Sequence, residues 1–389
     1  MRAKVILKSG KEKSIQRRHP WVFSGAVYGV TQELTDGDLV DVVDAQNHHL
    51  GTGYFSDKGS IVVRLLTFGD EIFSENFWDE KLQSAWNLRL KLLNIEETNA
   101  FRVIHGEGDG IPGLIIDYYN KNWVIQAHST GIFLQMEKIA KAIQANFSEY
   151  CETIYCKSSG TLPNTGTDYF LFGNKTETIA KENNILFSVN WVEGQKTGFF
   201  LDQRNNRKLL GEFSKDKKVL NTFCYTGGFS IYAMSAGAEL VTSVDISQKA
   251  VDLMDENVLL NNFADRHTSH CANVMHFLTD KTLPEYDVVI VDPPAFAKSH
   301  HKRHNAVQAY KRLNVLALQK VSNGGLLFTF SCSQVVNTQL FYDTIVAAGI
   351  EAGKKIRVLH SLSQGADHPI NLFHPEGHYL KGLVLYVED

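Results

Sequence analysis

Residues 218–238 read "KVLNTFCYTGGFSIYAMSAGA". A short apolar run is followed by two adjacent glycines and then by a helical pattern. Gly227 and Gly228 permit a tight turn and close backbone approach where the helix begins. The next apolar run, "LVTSVDI" (240–246), places Asp245 eighteen residues beyond Gly227. Working outward, "YDVVIVDPP" (286–294) and "GGLLFTFSC" (324–332) are further near-continuous apolar runs, each separated from the last by a helical pattern. Such runs belong to a parallel sheet covered on both faces. The region predicts a Rossmann-like α/β domain, in which ligands bind beyond the carboxyl ends of the strands.

The residues at those ends carry the chemistry. A dinucleotide site calls for three glycines spaced G-x-G-x-x-G, and that spacing is absent from the turn at Gly227 and Gly228. A nucleoside cofactor without a pyrophosphate fits better, and S-adenosylmethionine (SAM) is the obvious one. The Asp245 carboxylate could accept hydrogen bonds from both ribose hydroxyls. Asp292 precedes Pro293 and Pro294, whose fixed φ angles stiffen the chain beneath a target base while Asp292 addresses its polar edge. Cys332 sits between two serines where a strand should end, in a place that suits a nucleophile as well as a buried filler.

The rest of the chain predicts two smaller modules. Residues 1–73 read as short strands with Gly and Asp punctuation, which suggests a small β-barrel. A helix is expected from Ser74 as N-cap, with Trp78, Leu82, Ala85, Trp86 and Leu93 forming an apolar stripe. Residues 74–190 then predict an α+β middle module without a chemical motif, and the Rossmann-like domain occupies 191–389.

Composition narrows the class. Hydrophobic residues make up 43% and charged residues 21%, which argues against wholesale disorder. No run approaches the roughly eighteen apolar residues of a membrane span, and "MRAKVILKSGKEKS" lacks the apolar core of a signal peptide. No membrane partner and a cytoplasmic location are therefore expected. The five scattered cysteines suggest neither a disulfide framework nor a zinc site, and "KSHHKRH" (298–304) lacks helical ligand spacing and reads as a solvated loop. No metal is expected. Net charge is −4, yet the first eighteen residues carry seven Lys or Arg against the single acid Glu12. That patch is either a solvated basic strand edge or a phosphate contact.

"TGFFLDQR", "NTFCYTGGFS", "VDIS", "VDPPAFAKS" and "FTFSCS" occur in this order. With them, and with "KEKSIQRRHPWVFSGAV" near the start and "ADHPINLFHPEGHYLKG" near the end, the chain resembles the bacterial 23S rRNA cytosine-5 methyltransferases that carry an N-terminal PUA domain. The likeness covers essentially the whole length. It implies a PUA barrel for RNA, a linking middle module and a catalytic half that uses SAM. It makes Cys332 the nucleophile and Asp292 the acid that orients the base and borders the cofactor. Gly227, Gly228 and Asp245 become cofactor residues, with Gln203 and Arg204 flanking its methionine part. Asn273 stands where such enzymes commonly place an Asp facing the adenine. Phe199 and Phe200 are as readily core as site.

A base held in a duplex cannot present carbon 6 to a thiol, so the substrate would be 23S rRNA with a single-stranded or flipped-out target. Lys11, Lys13, Arg17 and Arg18, with Lys298, Lys302 and Arg303 after the proline motif, are the expected RNA contacts. A homodimer is compatible with the sequence, which does not fix the oligomeric state. Two rival readings stay open: a guanine nitrogen methyltransferase on the same scaffold, which needs no cysteine, and a non-catalytic RNA-binding assembly factor.

Overall fold

A computed structural model describes residues 2–162, 166–297 and 299–389. The chain divides into two compact units. The first comprises Met1–Asn183, Val189–Leu201 and Ala366–Gly377, and the second Asn184–Ser188, Asp202–Gly365 and His378–Asp389.

The first unit opens with a six-stranded sheet built from Lys4–Leu7, Trp21–Phe23, Val27–Val30, Leu39–Val43, His49–Phe55 and Ile61–Phe68. Neighbours are antiparallel except for Lys4–Leu7 beside Leu39–Val43, where Val5 stands opposite Val42. Alternation along these strands buries Val5, Leu7, Val22, Val40, Val42, Val63 and Leu65 in a small core of their own. At Gly53 a Cβ would lie 2.1 Å from the carbonyl oxygen of Arg64, so only glycine lets the two strands come this close.

A five-stranded sheet follows, with Ala100–His105, Leu114–Tyr119, Asn122–Ala127, Thr153–Cys156 and Tyr169–Phe172 side by side in that order. The helices Phe77–Leu92 and Met136–Asn146 pack on its core, where Trp86 stacks on Trp123 at 5.3 Å. Trp78, Leu82, Ala85 and Trp86 are buried as their spacing predicts, with Leu93 half-buried. The expected cap at Ser74 is a correction: Asn76 occupies that position, because 74–76 form a turn in which Phe77 N–H reaches only the Ser74 carbonyl.

The same unit buries two arginine–aspartate pairs. Arg89 grips Asp109 with two bonds of 2.5 and 2.8 Å, and Arg102 grips Asp117 with bonds of 2.7 and 2.9 Å. Arg89 also donates to the Asp367 carbonyl at 2.8 Å, and the Arg102 backbone N–H to its carboxylate at 3.1 Å. These bonds fasten the segment Ala366–Gly377 within this unit, far in sequence from its other residues. A bidentate pair supplies both charge and geometry, which suits such an anchor.

The second unit is a seven-stranded sheet with strands β1 (Lys218–Thr222), β2 (Leu240–Asp245), β3 (His267–Cys271), β4 (Tyr286–Val291), β5 (Val321–Ser331), β6 (Lys355–Leu362) and β7 (Lys381–Glu388). Their spatial order is β3-β2-β1-β4-β5-β7-β6. The first five are parallel, and β7 runs antiparallel to both β5 and β6. Helices α1 (Arg204–Glu212), α2 (Gly228–Ser235), α3 (Gln248–Leu260), α4 (Val274–Thr279), α5 (Arg303–Leu318) and α6 (Thr338–Ala352) alternate with the strands. Strand order reverses between β1 and β4, so a crevice opens at the carboxyl ends of these two strands. The expected Rossmann-like domain is present. No described helix is long and apolar enough to cross a membrane.

Candidate active site

The turn after β1 is bent by three positive φ angles, 56° at Phe223, 46° at Tyr225 and 80° at Gly227. Gly227 is the residue before α2, and a Cβ on it would meet Met254 at 2.6 Å, so both conformation and space demand glycine. Gly228 begins the helix and lies against Arg207. The turn is held from outside by Asn257 of α3, whose amide donates to the Thr226 carbonyl at 3.0 Å and accepts from Ser188 N–H at 2.7 Å.

Asp245 closes β2, and its two carboxylate oxygens accept from Tyr225 N–H and Ser247 N–H, each at 3.0 Å. A carboxylate offers about four acceptor positions, so two remain after these bonds. That fits the two hydroxyls of a ribose. Asn273 is exposed, and its side-chain oxygen caps α4 by accepting from His276 N–H at 3.2 Å.

Asp292 follows β4. Gln203 donates to its Oδ2 at 3.0 Å, and Asn206 in turn donates to Gln203 at 2.6 Å. Gln203 and Arg204 are both buried at the start of α1. The structure thus brings Gln203 to the carboxylate that follows β4. SAM, when bound, would supply an electrophilic methyl group on a sulfonium.

Cys332 follows β5 and is half-buried. The loop carrying Asp292 is tied to it, since Ser333 donates its hydroxyl to the Ala297 carbonyl at 2.8 Å. Beneath both lies Tyr310 of α5, fully buried, with Phe296 packed on its ring at 4.7 Å. Burial pushes its phenol up to about 12, and negative charge at Cys332 and Asp292 acts in the same direction. Thiol and carboxylate therefore share one neutral floor.

Known proteins resemble this chain. Residues 5–68 match the profile of a PUA-like domain, and residues 161–351 that of an S-adenosylmethionine-dependent methyltransferase. The chain is 40% identical over 399 residues to the ribosomal RNA large subunit methyltransferase I of Alteromonas mediterranea, with all of both chains covered. The enzyme of the same name from Tolumonas auensis is 36% identical, with 99% of each chain covered.

The chain belongs to the ribosomal RNA large subunit methyltransferase I family.

Among solved structures, a provisionally assigned SAM-dependent methyltransferase from Streptococcus mutans matches with a TM-score of 0.85 at 23% identity, covering 98% of this chain and 99% of that one. This likeness shows the shared fold. In this methyltransferase I family member the cofactor is SAM.

The expected RNA contacts lie where solvent reaches them. Lys11, Lys13, Arg17 and Arg18 are exposed around the short helix Lys13–Gln16, and so are Lys302 and Arg303. Arg18 pairs with Glu71 at 3.3 Å, so part of the basic patch is neutralised locally. Lys298 lies outside the described residues. The stretch "KSHHKRH" is corrected in part: Arg303 and His304 begin α5 rather than a loop, because Ala306, Tyr310 and Leu313 give that segment an apolar face to bury. Phe199 is buried, and Phe200 is half-buried under the Lys196 ammonium at 4.7 Å from its ring centre.

Among the described residues one group could offer metal ligands, His19, His374 and Glu376, with candidate atoms within 4.8 Å of one another. Nδ1 of His19 lies 3.2 Å from the Trp21 N–H and 3.3 Å from the Trp21 carbonyl, and its Nε2 lies 3.6 Å from Glu376.

One residue near the cysteine escaped the sequence reading. Lys381 begins β7, is 3% exposed, stands opposite Ser331 in the β5–β7 ladder and donates to the Ser333 carbonyl at 2.7 Å. In "YLKGLVLYV" it reads as an ordinary polar residue at a strand edge.

Proposed function

We propose that this protein methylates carbon 5 of a cytosine in 23S ribosomal RNA, with SAM as methyl donor and Cys332 as transient covalent nucleophile. The observation that carries the reading is the placement of Cys332 at the end of β5, tied through Ser333 to the loop that follows Asp292. Membership of a family named for the large-subunit rRNA, together with the PUA-like domain, supports ribosomal RNA as the substrate.

The chemistry explains why a thiol belongs there. Carbon 5 of cytosine is too weak a nucleophile to take the methyl group unaided. The Cys332 thiolate adds to carbon 6, forming a C–S bond and making carbon 5 enamine-like. Carbon 5 then takes the methyl group as its bond to the sulfonium breaks and S-adenosylhomocysteine leaves; a base removes the carbon 5 proton, and the bond between carbon 6 and the Cys332 sulfur breaks to restore the ring and the thiolate. Asp292, steadied by Gln203, addresses the polar edge of the base, while Gly227, Gly228, Asp245, Asn273 and Arg204 border the cofactor. A ring nitrogen needs no such covalent activation, so a guanine-methylating enzyme on this scaffold has no use for the thiol.

The test is product identification. The purified protein is incubated with unmodified ribosomal RNA and labelled SAM, and the digested nucleosides are analysed by mass spectrometry beside a Cys332→Ala control. We expect 5-methylcytidine that vanishes in the variant. A methylated guanosine that survives the substitution would make Cys332 structural, and SAM binding without transfer would point to an assembly factor.

A further inference from the structure

A buried ammonium needs a counter-charge, because removing an ion from water costs far more than one neutral hydrogen bond returns. Lys381 has no such partner among the carboxylates of the described residues; its recorded bond is to the Ser333 carbonyl. The backbone shows what lies beside it. Lys381 pairs across the ladder with Ser331, and its Nζ binds the carbonyl of Ser333, so the side chain runs along the turn whose middle residue is Cys332. Among the described residues, Lys381 of β7 and Tyr310 of α5 each respond to charge on that thiol, and Tyr310 responds to Asp292 as well. Tyr310 is neutral near pH 7 and a carboxylate opposes a second negative charge, whereas the Lys381 ammonium favours it.

We propose that Lys381 is the fixed counter-ion of the Cys332 thiolate, seated by the β5–β7 register so that the protein carries the ion pair before substrate arrives. Burial pushes the lysine down to about 8, and the charge at Cys332 acts to hold it protonated. By reciprocity the ammonium lowers the thiol from its ordinary value of about 8.5, at which only a few per cent is thiolate at neutral pH. Lys381 is thus a positioning residue that acts through Cys332. Its catalytic consequence rests on the proposed function, whereas the pair itself is measurable without RNA.

The experiment follows alkylation of Cys332 by iodoacetamide against pH, with the modified peptide quantified by mass spectrometry so that the other cysteines do not interfere. In the wild-type protein the midpoint should lie below about 8.5. In Lys381→Met, with SAM binding retained as the check on folding, it should rise by at least about one unit, a roughly tenfold loss of thiolate at pH 7. Lys381→Arg should restore part of the shift. A wild-type midpoint at or above the ordinary thiol value overturns the proposal even if the variants fail to fold, and so does an unchanged midpoint in folded Lys381→Met. The two readings fail separately. Were the midpoint to shift while Cys332→Ala still methylated RNA, the ion pair would stand and the nucleophile would not. Loss of 5-methylcytidine in Cys332→Ala with an unmoved midpoint in Lys381→Met means the reverse.

Discussion

Gln203 shows how a site is held by residues beside its reactive groups. Its amide has one polar atom on Asp292 and the other on Asn206, so it can neither rotate nor leave without exposing a buried polar group. Replacing it by leucine should remove this bond to Asp292 and cost about 1–2 kcal/mol of transition-state stabilisation, roughly tenfold in kcat/KM. Gln203→Glu is the sharper probe. It keeps the shape but sets a second carboxyl group where the donor was, and two such groups share a proton only at lower pH. Activity of this variant should be poor near pH 7.5 and recover on acidification, read from the pH profile of kcat/KM. A profile parallel to that of the wild type would show that the Gln203–Asp292 bond plays no part in turnover.

At the scale of elements, the parallel strands were legible because each is a nearly unbroken apolar run, and their carboxyl ends could be named from the glycine turn, Asp245 and Asp292. What the sequence hid were contacts set by pairing and by unusual burial. Lys381 becomes informative only through its register with Ser331, and Arg89 and Arg102 look like surface charges until their aspartates are seen. The start of α5 was read as loop because "KSHHKRH" lacks helical ligand spacing, and the apolar face that makes it a helix begins only at Ala306. A polar thread across strands was hidden for the same reason. Asn221 of β1 donates to Ser230 at 2.8 Å, Ser230 meets Ser243 of β2 at 2.7 Å, and Ser243 meets Nε2 of His267 in β3 at 2.8 Å. Burial lowers the pKa of His267, with Asp255 opposing that shift and His270 adding to it. The folded state therefore binds fewer protons than the unfolded chain below the ordinary histidine value of about 6.5. This contribution to stability is intact above about pH 6.5 and is lost as pH falls from there through the lowered folded value. His267→Gln keeps a partner for Ser243 without the titration, so its melting temperature should fall less steeply between about pH 6.5 and 5. Equal slopes in both proteins would mean that His267 is protonated in the folded state.

For the whole molecule, the net charge of −4 gives the wrong intuition about an RNA partner, because phosphate responds to local potential rather than to the total. The six-stranded sheet carries exposed Lys11, Lys13 and Arg17 around one short helix, while Arg18 is already paired with Glu71. The sequence could count these charges but could not distinguish the engaged arginine from its neighbours. If this face meets the RNA backbone, each cation that neutralises a phosphate releases about 0.7 of a counterion from a single strand. Replacing Lys11, Lys13 and Arg17 together by glutamine should flatten the plot of log K against log salt by about 2, with the loss of affinity greatest at low salt. Arg18→Gln alone should move it little, because Glu71 competes with phosphate for that guanidinium. The measurement is filter binding of a ribosomal RNA fragment across a salt series. An unchanged slope in the triple variant would take this face out of the RNA interface and leave the exposed Lys302 and Arg303 of the second unit as the cations to test next.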